Sequence, residues 1–166
     1  MRASRTIGTA LAVPALALAL AACGGSNSSN ERAASTATVS LDHLGGAGSV
    51  LVDSRGSALY TPDQESNGMI RCTGECLSFW IPLDASSPTK GAGVDGRLAT
   101  LKRPDGTRQV TLGGKPLYRF VDDSPGKVTG DGFKDSFAGT RFTWHVVRAG
   151  GGKPPAQDQS RGSYGY

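Results

Sequence analysis

The residues best suited to chemistry are two cysteines four positions apart, Cys72 and Cys76, in the run Arg71-Cys72-Thr73-Gly74-Glu75-Cys76. Two chemistries fit that spacing. In an oxidising compartment the pair closes a small loop as a disulfide. Kept reduced, Cys-x-x-x-Cys with a distant histidine is a thiolate and imidazole set that suits copper. The third ligand of such a site would be one of the chain's two histidines, His145 or His43. A second constellation is Tyr118, Phe120, Asp122 and Asp123, carboxylates beside aromatic faces, which could bind a cation or a sugar. Asp131 and Asp135, in the glycine-rich stretch from Gly126 to Gly139, could join it. The other reading is structural: an aspartate after a strand caps a turn, and the aromatics pack on the strand.

Enzymatic constellations are missing. The chain has no Gly-x-Ser-x-Gly, no His-Glu-x-x-His and no phosphate loop. Two histidines leave few general bases at neutral pH, and no catalytic residue is assigned. The regular oxygen-ligand spacing of a calcium loop is also missing. Lysine and arginine are scattered rather than clustered, which excludes a nucleic-acid surface.

The address of the chain is written at its start. Arg2 and Arg5 precede an apolar run, Ile7 to Leu20, of signal-peptide length. That run is short of the roughly 20 apolar residues a membrane span needs. Leu20-Ala21-Ala22-Cys23 fits the bacterial lipobox, in which the cysteine becomes the lipidated mature N-terminus. Residues 1–22 are thus expected to be a lipoprotein signal peptide. Dual acylation at Cys23, palmitate included, would anchor the chain stably, since two acyl chains hold where one does not. The full chain carries 18 Lys and Arg against 14 Asp and Glu; without Arg2 and Arg5 the balance is 16 against 14, a net charge of +2. Residues 23–38 read as the lipidated cysteine and a flexible polar tether. Residues 149–166 read as a disordered Gly- and Pro-rich tail.

The elements that must position the chemistry lie between, in residues 39–148. Short β-branched or aromatic runs alternate with Gly, Asp, Asn and Pro, the all-β pattern. Ser49–Asp53, Ala58–Thr61, Phe79–Leu83, Leu98–Lys102, Thr107–Leu112, Lys115–Val121 and Arg141–Arg148 are the expected strands. Pro104-Asp105-Gly106 and Gly113-Gly114 supply turns. The one helical turn expected is Thr73 to Ser78. In the last strand Phe142, Trp144 and Val146 alternate with Arg141, Thr143 and His145, which predicts an inward aromatic face. A repeat also emerges: Leu59-Tyr60 answers to Leu117-Tyr118, 58 residues on, and Trp80 answers to Trp144. The expectation is an all-β domain, a small antiparallel sandwich or barrel, built from two related β repeats packed face to face. Neither half is large enough to be stable alone.

These residues also resemble a family of predicted bacterial lipoproteins with a Tyr-x-(Phe/Trp/Tyr)-x-x-Asp motif, described as a secreted repeat of unknown function. Tyr118, Phe120 and Asp123 fit the signature positions. Val52-Asp53, Gly56 and Leu59-Tyr60 look like the opening of a first repeat, and Cys72, Gly74, Cys76, Trp80 and Pro82-Leu83 like its close. Arg103, Asp105-Gly106, Gln109-Val110, Gly114 and Pro116-Leu117-Tyr118 look like the second. The first copy departs from the motif, with Pro62 for the aromatic and Glu65 for the aspartate. The resemblance implies an extracytoplasmic lipoprotein and no reaction. The expected protein is lipid-anchored at the extracytoplasmic face of a bacterial cell membrane. It acts as a non-catalytic module toward an envelope protein or polymer, or else as a copper or thiol-redox accessory through Cys72, Cys76 and His145.

Overall fold

A computed structural model describes residues 36–151. The expected signal peptide, Cys23, nearly all of the tether and the tail beyond residue 151 lie outside the described residues. The described chain is all-β. Its strands are β1 (Val39–His43), β2 (Ser49–Asp53), β3 (Tyr60–Pro62), β4 (Trp80–Pro82), β5 (Leu98–Lys102), β6 (Arg108–Leu112), β7 (Lys115–Pro116), β8 (Tyr118–Phe120), β9 (Lys134–Phe137) and β10 (Thr140–Val146). They form three antiparallel sheets, ordered β1-β2, β5-β6-β7 and β4-β8-β3-β10-β9. The arrangement is sandwich-like and not a closed barrel. The expected helical turn is a short 3-10 segment, Gly74–Ser78, and another 3-10 turn spans Ala149–Gly151.

Two strands went unread in the sequence. Val39–His43 carries only two large apolar residues, and DHLGG at its end resembles loop. Lys134–Phe137 sits in a stretch dense in glycine and charge. It is held by a hairpin whose turn places Ala138 and Gly139 at positive φ, 47° and 78°. In β10 the predicted alternation holds, with Phe142, Trp144 and Val146 buried.

The two repeats are not two blocks facing one another. They interleave. Tyr60 of β3 lies opposite Tyr118 of β8. Trp80, from the first repeat, pairs with Phe120 of the second. Trp144, from the second, pairs with Pro62 of the first. Each tryptophan strand therefore completes the sheet of the other repeat, and a pseudo-two-fold axis passes between the tyrosines.

The backbone bonds around that axis repeat as well. Leu51 N–H donates to Val147 C=O at 2.7 Å, Leu59 N–H to Leu51 C=O at 2.9 Å, and Val147 N–H to Leu59 C=O at 2.8 Å. In the other half Val110 N–H donates to Leu83 C=O at 2.8 Å, Leu117 N–H to Val110 C=O at 3.0 Å, and Leu83 N–H to Leu117 C=O at 2.9 Å. Each of these small closed sets joins residues from both repeats. The physical reason is burial: a hairpin of this length cannot cover its own apolar face, whereas exchange of the tryptophan strands lets residues of both repeats bury one another.

That core has two parts. One is aromatic and surrounds Tyr60, Trp80, Tyr118, Phe120, Phe142 and Trp144. The other is aliphatic and contains Val39, Leu51, Leu59, Leu83, Val110 and Leu117. Neighbours along a strand serve opposite faces, as the period of two demands: in β2, Leu51 enters the aliphatic part and Val52 the aromatic part.

Candidate functional site

The signature residues converge on the pseudo-two-fold axis. Tyr118, fully buried, donates its phenolic O–H to Glu65 Oε2 at 2.7 Å. Tyr60, equally buried, donates to Asp123 Oδ2. Glu65 is five residues after Tyr60, and Asp123 is five after Tyr118. Each tyrosine thus bonds to the acid of the other repeat's motif. The glutamate that departs from the motif does the work of the missing aspartate.

Each acid also holds the loop that follows it. Glu65 Oε1 accepts from the backbone N–H groups of Arg71 at 2.5 Å and Cys72 at 2.6 Å. Asp123 Oδ1 accepts from Thr129 N–H at 2.8 Å and its hydroxyl at 2.6 Å. A buried carboxylate is tolerated where its oxygens are satisfied in this way.

Arg103 completes the Tyr118 side. Its guanidinium is almost wholly buried. It donates to Gln109 Oε1, to the Tyr118 hydroxyl at 3.2 Å and to Cys72 C=O at 2.6 Å. Gln109 Nε2 in turn donates to Leu117 C=O at 2.8 Å. Burial first, then the charge of Glu65 and the hydrogen bond to it, push the Tyr118 phenol far above its usual range. Burial and the bond to Asp123 do the same for Tyr60. Both phenols are neutral at any physiological pH.

Behind the tyrosines lies an aromatic stack. Trp80 and Trp144 lie face to face, with ring centroids 3.8 Å apart and planes within 8°. Trp80 also stacks on Phe120 at 4.4 Å. Tyr60 meets Trp80 edge-on at 5.5 Å, and Tyr118 meets Trp144 edge-on at 5.2 Å. One carboxylate clamps the pair: Asp135 accepts the Trp80 indole N–H at 2.7 Å and the Trp144 indole N–H at 3.0 Å. Gly130 packs so close that a Cβ there would sit 2.9 Å from the Trp80 ring.

The proposed binding residues therefore divide. Tyr118, Phe120 and Asp123 are engaged inside the fold, and Asp122 alone is exposed. Asp131 and Asp135 are engaged too: Asp131 accepts from Val146 N–H at 3.0 Å and pairs with Arg148 at 2.6 Å. Cys72 and Cys76 form a buried disulfide. His145 pairs with Asp63 at 3.1 Å, and His43 is exposed at the end of β1. Among the described residues no three His, Cys, Asp or Glu side chains gather in a way that could hold a metal ion.

Glu65, Gln109 and Asp135 carry more of the arrangement than their sequence context suggested. For Glu65 a signal existed, since its distance from Tyr60 equals that of Asp123 from Tyr118. Asp135 is a binding candidate by sequence, but its role as indole acceptor left no signal, because its partners are 55 and 9 residues away.

Two shallow grooves open at the surface, of about 340 and 360 Å³. One lies between Leu44–Ala47 and Gly126–Thr129, the other between Gly68–Ile70 and Leu101–Pro104. Gly126 and Gly68, each eight residues past its motif tyrosine, hold corresponding places in them.

The fold and this site define a duplicated, interleaved β module whose signature side chains point inward. Residues 99–148 match the family model described as a secreted repeat of unknown function, the lipoprotein repeat family that the motifs resemble. The match falls on the second repeat. No curated protein and no solved structure matches the chain.

Proposed function

We propose that the chain is an exported, lipid-anchored envelope protein whose β domain is a non-catalytic binding or structural module. The observation that carries this reading is the inward orientation of the motif. Tyr60, Tyr118, Glu65 and Asp123 spend their polar atoms on one another and on backbone N–H groups. Groups so engaged are unavailable to a substrate, and both phenols are driven away from ionisation, the opposite of tuning toward neutral pH for acid–base work. The buried disulfide suits an oxidising, extracytoplasmic compartment. The run before Cys23 and the secreted family support the same address. A ligand or partner would meet the exposed Asp122 and the two grooves rather than the signature residues.

The test is metabolic labelling with a palmitate analogue in cells expressing the parent or Cys23→Ala. The parent is expected to be labelled and to pellet with membranes. Cys23→Ala is expected to lose the label and the association. Equal labelling or equal pelleting of the two proteins would overturn the anchor.

A further inference from the structure

The aromatic core contains a continuous chain of oxidisable rings, each end of which meets a proton acceptor. Its order is Tyr60, Trp80, Trp144, Tyr118, with centroid separations of 5.5, 3.8 and 5.2 Å. Burial and packing account for rings in contact and for each O–H and N–H finding a partner. The further feature is that every one of these partners is a carboxylate, a group that can also take a proton. Both phenols end on carboxylates, Asp123 and Glu65, and both indole N–H groups end on one carboxylate, Asp135. We infer that this Tyr-Trp-Trp-Tyr array is a radical relay, able to accept an oxidising equivalent from a one-electron oxidant at the surface and settle it on a buried tyrosine.

The step balances with the groups present. The oxidant, an outer-sphere one-electron acceptor, removes one electron from the stacked indoles and is itself reduced. The resulting indole radical cation faces the Asp135 carboxylate, whose negative charge stabilises it. Tyr60 then passes an electron to the indole across the edge-on contact. Its O–H bond breaks, and the proton moves along the existing hydrogen bond to Asp123. The products are a neutral indole, a tyrosyl radical and a protonated carboxyl group. On the other side Tyr118 gives its electron to Trp144 and its proton to Glu65. Without the carboxylates a buried phenol would have nowhere to release its proton. The held-neutral phenols are the reduced, proton-loaded state that such a step requires. Access from outside passes through Phe133, 43 % exposed, whose ring lies 6.1 Å from Trp80.

The chain contains four tyrosines, and the other two are Tyr164 and Tyr166 in the C-terminal segment. The test uses the purified full chain carrying Tyr164→Phe and Tyr166→Phe, so that any tyrosyl radical must sit on Tyr60 or Tyr118. A photogenerated ruthenium(III) complex supplies the oxidant, and electron paramagnetic resonance with transient absorption reads the product. The expected result is an indole radical that decays as a tyrosyl radical grows. Trp80→Phe is expected to lower the tyrosyl yield several-fold. The double variant Tyr60→Phe, Tyr118→Phe is expected to leave the oxidation on the indoles. Absence of a tyrosyl radical in the tail-substituted parent overturns the relay, whatever the folding of the core variants. So does a tyrosyl yield unchanged in a folded Trp80→Phe protein.

Discussion

Tyr60 and Tyr118 lie opposite one another on adjacent strands, and each donates its hydroxyl proton to the acid of the other's repeat. The motif shared by the two repeats is thus a cross-brace between them. It ties the interleaved halves together: in each copy the tyrosine lies on a strand and the acid on the turn that follows it, and each bonds to its counterpart in the other copy. The partner copy supplies what is missing on both sides.

Removing either hydroxyl tests the brace. Tyr118→Phe leaves Glu65 Oε2 buried without its donor, and Tyr60→Phe leaves Asp123 Oδ2 short of one. Tyr118→Phe should lower unfolding free energy by about 1–3 kcal/mol, the range for an unsatisfied buried polar group, and Tyr60→Phe by less, because the half-buried Asp123 can take water in place of the phenol. Glu65→Ala should be worse, because it strands two backbone N–H groups as well as the phenol. Denaturant unfolding checks all three. Equal loss on Glu65→Ala and Tyr118→Phe would show that the backbone bonds of Glu65 contribute nothing.

The phenols also predict an alkaline limit. Their folded pKa values lie above the unfolded one, chiefly through burial. Below about pH 10 the tyrosines are protonated in both states and stability does not respond. Above it the unfolded chain loses protons that the folded chain keeps, so stability falls as pH rises. Melting temperatures measured from pH 8 to 11 should drop above pH 10 in the parent and drop less in Tyr60→Phe. Phenolate absorbance from Tyr60 and Tyr118 should appear only on unfolding.

Much of this fold could be read in the residues, for identifiable reasons. The strands with clean alternation or a proline-glycine turn, β2, β5, β6 and β10, were legible because the local pattern and the tertiary role agree. The repeat was legible from Leu-Tyr and Trp recurring at matched intervals. The exchange of strands was not, since pairing partners are set by the whole core and leave no mark in local periodicity. The same holds for Asp122 and Asp123: adjacent in sequence, they look alike, yet the turn after β8 brings Asp123 to Tyr60 and leaves Asp122 in solvent.

The disulfide is expected to act as a staple. Cys72 and Cys76 are fully buried, and the backbone of Cys72 is held on both sides by Glu65 and Arg103. Closing so small a loop contributes about 2 kcal/mol on the chain-entropy estimate. Cys72→Ala with Cys76→Ala should lower stability by about that amount while the native state still forms. In the parent, both thiols should remain unreactive under native conditions with mild reductant and become reducible only in denaturant. Rapid reduction of the folded protein would instead mark the pair as a redox centre.

The clamp on the tryptophans gives the sharpest local prediction. Asp135 accepts two indole N–H bonds with two carboxylate oxygens. Asn is nearly the same size but offers one carbonyl oxygen, so its NH₂ group would face the second indole donor to donor. Asp135→Asn should therefore cost about 1–3 kcal/mol, well beyond the ~0.5 kcal/mol typical of a surface change. Near-ultraviolet circular dichroism reports the stacked pair directly, and its tryptophan signal should weaken as one ring loses its tether. Asp135→Ala should weaken it further, because both N–H groups then lose their acceptor. A variant with parental stability and an unchanged tryptophan spectrum would mean that stacking alone, with Phe120 and Gly130 packed against it, fixes the two rings.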